Sequence, residues 1–394
     1  MKPAKKKPAR KPARKKPAKK PARPKPASKT TRGTVLVTGA AGFIGRYVVE
    51  EALARGYSVR ATDLPGPDLG WAETRGVEVL RGDLTRREQV EPLVRGVDHV
   101  VHIAAAFDLG MPRQDLLRIN LNGSVNLAEA AAAAGVKTFV NCSTADTYGA
   151  HDEIPVREDA RQNPDNDYAF SKLLAEQAVI RVGQRRSMAV TTLRPTVIYG
   201  PGAMYTASMF CTLPLMIHRR LGFFIRATGG PLVNAVHAED VAGAAIFVLG
   251  KPEAAGQVYN VADDDWQTMG EFFHNIVEPL DVNWSPFTVP IPSAPLSWLA
   301  RGLWFAPDGL FGLINRVLQS EWASVRDSCG LEPALSPRFD KGFLSYGLGD
   351  HACDNSRLKA AGYQLRHPHF AAGYRETIRW YCEQRWIPES ALSL

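Results

Sequence analysis

The chain has 394 residues, with 48 Lys and Arg against 40 Asp and Glu, a formal +8. Residues 1–32 hold 15 of the basic residues and no acid, so the other 362 carry 33 basic against 40 acidic residues, a net of −7. Overall basicity therefore describes a tail, and a nucleic-acid or anionic-membrane surface is licensed for that tail alone.

The tail repeats Lys/Arg pairs with Pro-Ala, offers nothing apolar to bury and repels itself, so residues 1–32 are expected to be disordered. It is suited to contact nucleic acid or anionic membrane through counterion release, without sequence specificity. From Gly33 the chain alternates strands and helices. Thr34–Thr38, Ser58–Asp63, 77–80, 98–104 and 137–142 read as apolar strands separated by helical patterns such as the alanine-rich 127–134. Continuous apolar strands alternating with helices mean α/β: a doubly wound parallel sheet. Residues 33–200 form the expected nucleotide-binding domain, to which 239–262 return. Residues 201–238 and 263–394, rich in Trp and Pro, form the expected smaller substrate-binding domain.

The uncharged, apolar stretch 282–300 contains Pro286, Pro290, Pro292 and Pro295, which exclude a membrane-crossing helix there. Five scattered cysteines without a Cys-x-x-Cys pair argue against a disulfide framework or zinc site and favour a reducing, cytoplasmic setting. His367 and His369 show no acidic pattern pointing to a metal, and His237 reads as structural.

Two motifs carry chemistry. The first strand runs into Gly39-x-x-Gly42-x-x-Gly45 and then a helix. There Gly39 permits the turn, Gly42 lets backbone approach a pyrophosphate, and Gly45 lets helix pack on strand, with the helix N-terminus facing the anion. Asp63 closes the second strand, placed to take ribose hydroxyls and repel a 2′-phosphate; Leu64 follows it rather than arginine, so NAD is favoured over NADP. Asp83 lies near the adenine or serves only as a helix cap. The second motif is Tyr168-Ala-Phe-Ser-Lys172, a phenol and an ammonium on one helix face. Lys172 is expected to lower the Tyr168 pKa so that it exchanges protons with an alcohol or carbonyl, and to hold the nicotinamide ribose. Ser143 and Thr144 follow the fifth strand as hydroxyl donors.

These elements, with VVHIAAA at 100–106, NLNGSVNLAEAA at 120–131, CSTADTYG, RPTVIYGPG at 194–202 and VHAEDVA at 236–242, occur in an order that resembles the extended short-chain dehydrogenase/reductases. The resemblance is to their NAD-dependent epimerase/dehydratase family. It implies a Rossmann fold, Tyr168 as acid/base, Lys172 as its partner, and Thr144, or failing it Ser143, as donor to the substrate oxygen. It places further cofactor contacts on Ala41, Phe43, Ile44, Leu84, Ala104, Ala105, Ala106, Asn120 and Pro195. It also implies a homodimer through 120–134 and 168–181.

Sugar-nucleotide epimerases carry asparagine where Val197 stands, and valine cannot make that hydrogen bond. The RPTVIYGPG form is closest to the 3β-hydroxysteroid dehydrogenase-like branch. The apolar run through Trp298, Leu299, Leu303, Trp304, Phe305, Leu310, Phe311 and Ile314 fits a lid over a hydrophobic small-molecule substrate or a small-domain core. The expected function is oxidation or reduction of a secondary alcohol or ketone on a sterol- or lipid-like substrate. The alternatives are a nucleotide-sugar epimerase or dehydratase with tightly bound NAD, and a non-catalytic NAD sensor with a nucleic-acid-binding tail.

Overall fold

Seven short strands line up in parallel in the order β3-β2-β1-β4-β5-β6-β11. They are β1 (Thr34–Thr38), β2 (Ser58–Asp63), β3 (Glu78–Arg81), β4 (His99–His102), β5 (Thr138–Cys142), β6 (Ala189–Pro195) and, after four short strands, β11 (Val258–Val261). The computed structural model describes residues 32–291, 302–303, 305–347 and 349–393; the tail through residue 31, Trp298, Leu299 and Trp304 lie outside them.

Both sheet faces are covered, which is why the strands read as apolar runs. Val35 and Val37 of β1 point to one face, packing with the helices Phe43–Ala54 and Ala238–Phe247. Leu36, between them, points to the other, against the helices Arg87–Val94, Gly123–Ala133 and Asp167–Arg186. The chain winds from β1 outward to β3, then returns to place β4 on the opposite side of β1. A crevice opens where the winding reverses, outside the carboxyl ends of β1 and β4.

The β4 and β5 strands are shorter than the sequence pattern suggests. Beyond His102 the chain leaves the sheet as a loop, Ile103–Ala106, that forms one wall of the crevice. The segment after Gly200 is more regular than its sequence pattern. It forms the helices Met204–Phe210 and Thr212–Leu221 and three small strands, β8 (Phe224–Gly229), β9 (Leu232–Val233) and β10 (Ala235–His237), while β7 (Val197–Tyr199) comes just before Gly200. The β7 strand pairs in parallel with β10. A second core gathers there around Tyr199, Leu215, Ile276, Trp322, Phe370 and Tyr381. Asp240 holds the returning C-terminal segment by accepting hydrogen bonds from the Tyr363 hydroxyl and the Arg366 and His367 amides, at 3.0, 2.7 and 2.9 Å.

Candidate active site

A cavity of about 1220 Å³ occupies the crevice and runs on beneath the C-terminal segment. Every site residue named from sequence lines it except Asn120, which is buried behind the wall.

The glycine turn is built as its spacing requires. Gly39 has φ +67°, and a Cβ there would stand 2.9 Å from the backbone of Ala104. A Cβ on Gly45 would strike the Gly39 carbonyl oxygen, whereas one on Gly42 would meet only that oxygen, at 3.2 Å. Gly42 thus leaves open space for a ligand, and Gly45 brings the helix against the strand. Asp63 accepts the Ala41 and Leu64 amides at 2.9 and 2.8 Å, which fixes its carboxylate beside the turn. A carboxylate has capacity for further donors, so ribose hydroxyls remain compatible with this geometry. Asp83 accepts both the amide and hydroxyl of Thr85; burial raises its pKa, but those bonds with Arg86 and Arg118 outweigh it and the net shift is downward. It stabilises a turn and does not cap the helix Arg87–Val94, whose N-cap is Arg86. The open space at Gly42, the helix N-terminus and the oriented Asp63 fit a dinucleotide.

The wall at 103–106 is pinned from two sides. Thr38 Oγ1 accepts the Ile103 and Ala104 amides and bonds His102 Nδ1 at 2.8 Å. Asn120 accepts the Ala106 amide at 2.7 Å, donates to its carbonyl, and donates to Ser171 at 2.9 Å. The turn carrying it, Leu117–Asn122, is a π-helix, a form that often marks functional positions. Asn120 therefore holds the wall at 103–106 from behind. Thr38 and His102 were not singled out in the sequence; a buried threonine ending an apolar strand was the available signal.

Tyr168 is the second residue of the helix Asp167–Arg186, whose N-cap Asn166 accepts the Ala169 amide at 2.8 Å. Its ring packs edge-on against Phe107 at 4.9 Å. Burial raises the Tyr168 pKa, and the charges of Asp146 and Cys142 add to it. The expected lowering by Lys172 is overturned, because Lys172 Nζ donates to the Cys142 carbonyl at 2.6 Å and is itself buried, which lowers its own pKa. The phenol is held protonated. Thr144 Oγ1 accepts the Asp146 amide at 3.2 Å and its hydroxyl also bonds the Asp146 carboxylate, while Ser143 Oγ is buried with no hydrogen-bond partner among the described residues.

Two residues missed in the sequence share this wall. Asp146 lines the cavity, and both its carboxylate oxygens lie within 3.2 Å of the Tyr346 hydroxyl. Burial raises the Asp146 pKa, against the charge of His351. Beneath the loop, Arg194 and Glu176 form a buried ion pair, and Arg194 also donates to the Tyr148 hydroxyl at 2.7 Å. Tyr148 in turn donates to Asn260 at 2.7 Å. The arginine of the RPTVIYG motif thus ties the helix that carries Tyr168 to the Ser143–Tyr148 loop.

His367 and His369 do find acids, contrary to their sequence context: Glu239 at 3.2 Å and Asp265 at 2.9 Å. His237, Glu239 and His367 converge, the two imidazoles packing with centroids 3.8 Å apart and planes tilted by 32°, and His237 Nδ1 already accepts the Glu239 amide.

Comparison with known proteins agrees with this architecture. The profile of the NAD dependent epimerase/dehydratase family matches residues 35–262. The chain belongs to that family. It is an NAD-dependent enzyme of the extended short-chain dehydrogenase/reductase type. A 3 beta-hydroxysteroid dehydrogenase/Delta 5-->4-isomerase of Mycobacterium tuberculosis (strain ATCC 25618 / H37Rv) is 29% identical over 289 residues, covering 69% of this chain and 76% of the relative. A dihydroflavonol 4-reductase of Zea mays is 28% identical over 256 residues, covering 57% and 69%. The solved UDP-glucose 4-epimerase of Thermus thermophilus, in complex with NAD, superposes with a TM-score of 0.61 at 24% identity, covering 88% of this chain and 98% of the other. The likeness to the epimerase is one of fold.

Proposed function

We propose that the enzyme interconverts a secondary alcohol and a ketone on a hydrophobic, sterol-like substrate. The observation that carries this is the cavity wall opposite the glycine turn, where Phe107, Tyr205, Met209, Phe273, Phe343 and Leu344 face the space. Such a wall favours apolar area and offers little to a diphosphate. Val197 stands where epimerases hold an asparagine, and the 29% identity to a steroid dehydrogenase points the same way.

Gly39, Gly42, Gly45 and Asp63 would hold the cofactor, with Lys172 and the wall at 103–106 on its nicotinamide side. NAD, when bound, supplies the carbon that accepts or returns the hydride. Thr144 donates to the substrate oxygen and Tyr168 moves its proton. In the reductive direction the buried phenol gives its proton to the forming alkoxide. In the oxidative direction Tyr168 must first lose that proton, which favours alkaline conditions.

The test is a comparison of hydroxysteroids with UDP-sugars. Stoichiometric NADH release with the steroids supports the reading. Epimerised sugar without NADH release, from protein purified with tightly held NAD, replaces it with the epimerase. Bound NAD with no turnover on either panel revives the sensor.

A further inference from the structure

The helix Asp308–Cys329 is apolar on two faces. Its inner face backs the cavity roof without lining it: Phe311 is buried and stacks at 6.0 Å on Phe339, which lines the cavity, and Trp322 is buried in the second core. Leu303, just ahead of the helix, lines the cavity as well. The outer face carries Leu310, Leu313 and Val317 at i, i+3 and i+7, exposed by 40%, 53% and 54%. That spacing makes one stripe, and such stripes ordinarily face a core. Phe305, in the turn before the helix, is 85% exposed. Large apolar side chains gathered in the open mark an interaction surface.

We propose that this stripe is a membrane-docking face, which seats the roof of the cavity in the headgroup region of an anionic bilayer. Three observations select a lipid surface over a second copy of the chain. First, the four side chains offer on the order of 400 Å², about half the ~800 Å² per partner of a stable protein interface, but enough for shallow insertion. Second, the charge is complementary to anionic lipid. Arg316 is exposed on the same helix with no acidic partner among the described residues, and the chain opens with 15 basic residues in its first 32. Third, an apolar insertion joined to a polybasic segment is the pair of signals that stable peripheral attachment requires, each being weak alone.

The helix lies on the membrane and does not cross it. Asn315, Arg316, Gln319 and Glu321 interrupt its apolar character, and no described helix is long and apolar enough to span a bilayer. Docking does not depend on the proposed substrate, although a cavity roof at the bilayer surface would stand where lipophilic molecules concentrate.

The experiment is flotation of the full chain with vesicles of phosphatidylcholine alone and of phosphatidylcholine with phosphatidylglycerol, three to one. A triple variant, Phe305→Ser, Leu313→Ser and Val317→Ser, changes exposed residues without changing charge. Unaltered melting temperature and NAD affinity show that it is folded. The wild type is expected to float with the anionic vesicles and the triple variant to lose at least tenfold in binding. Deleting residues 1–32 should remove the salt-sensitive part and leave the apolar part. The proposal is overturned if the wild type stays unbound to the anionic vesicles, or if the triple variant floats as well as the wild type. A triple variant that halves the mass in solution while flotation is unchanged would make the stripe a self-interface instead. None of these readouts uses turnover, so failure of the proposed reaction leaves the test intact.

Discussion

Gly42 and Gly45 are three residues apart in one turn, yet the same substitution should fail in opposite ways. At Gly45 an added methyl meets only backbone: it strikes the Gly39 carbonyl oxygen and stands 2.7 Å from Ala40 Cα. Neither can rotate away, so Gly45→Ala should cost about 1–3 kcal/mol of overpacking, offset by at most about 1 kcal/mol of helix propensity. At Gly42 the methyl meets one oxygen at 3.2 Å, and the backbone, at φ −75° and ψ 170°, is one alanine adopts freely. Its effect on the apo protein should stay within about 1 kcal/mol. The methyl does occupy the space that a pyrophosphate must enter, so NAD affinity should drop at least tenfold, about 1.4 kcal/mol. Thermal melting without cofactor, paired with NAD titration, separates the two. Gly45→Ala should melt a few degrees lower, and Gly42→Ala should melt near the wild type and bind NAD poorly. If Gly42→Ala binds NAD as tightly as the wild type, the pyrophosphate does not approach at that position and the cradle is misassigned.

Tyr168→Phe keeps the ring against Phe107 and removes only the hydroxyl; turnover should fall by about 10²–10⁴-fold with NAD affinity unchanged, as read by steady-state rates and titration. Arg194→Met leaves Glu176 charged and buried, so urea unfolding should show a loss of about 3–5 kcal/mol, most of it recovered by adding Glu176→Leu. His237 is driven by burial to a pKa of about 3, from an ordinary 6.5. Its folded form binds fewer protons than its unfolded form, so its contribution is complete above about pH 6.5 and falls as pH drops towards 3. Between pH 6.5 and 5 the unfolding free energy of His237→Gln should therefore decline less steeply than that of the wild type, by up to about 1.4 kcal/mol per unit. His367 works the other way, its pKa raised by the hydrogen bond to Glu239 and lowered in part by burial. Its contribution is greatest below 6.5 and is lost as pH rises through its higher folded value, so equal slopes in the two proteins would show that the His237 burial is not coupled to proton binding.

What was legible in the sequence is what spacing alone encodes. Three glycines, Asp63 and the Tyr168–Lys172 face sit within one turn or one βαβ unit, and their geometry follows from local periodicity. The rest depends on partners that the fold delivers from far along the chain. Asn120 reaches Ala106 across 14 positions and Ser171 across 51, so its place behind the wall could not be separated from direct cofactor contact. His367 looked unpartnered because Glu239 is 128 positions away. The acidity of Tyr168 was misjudged for a related reason. Helical spacing shows which cation shares its face, but desolvation is set by everything packed around it, including Phe107 and Tyr346 from distant segments.

That difference in acidity bears on how the site works. A lysine that paired directly with the phenol would hold it charged before substrate arrives. Here Lys172 commits a hydrogen bond to the Cys142 carbonyl, the strand end that also presents Ser143 and Thr144. Arg194 ties the same loop to the same helix from below through Tyr148 and Glu176. Both cations therefore fix the distance between the phenol of the helix and the hydroxyls of the loop, which in the proposed reaction meet on one substrate oxygen. Positioning of that kind is worth several kilocalories when the geometry is held to within an ångström. Lys172→Met should then impair turnover by a constant factor across the accessible alkaline range, whereas the loss from a lysine acting only on acidity would shrink as pH rises; a loss that shrinks steadily with pH would refute the positioning role.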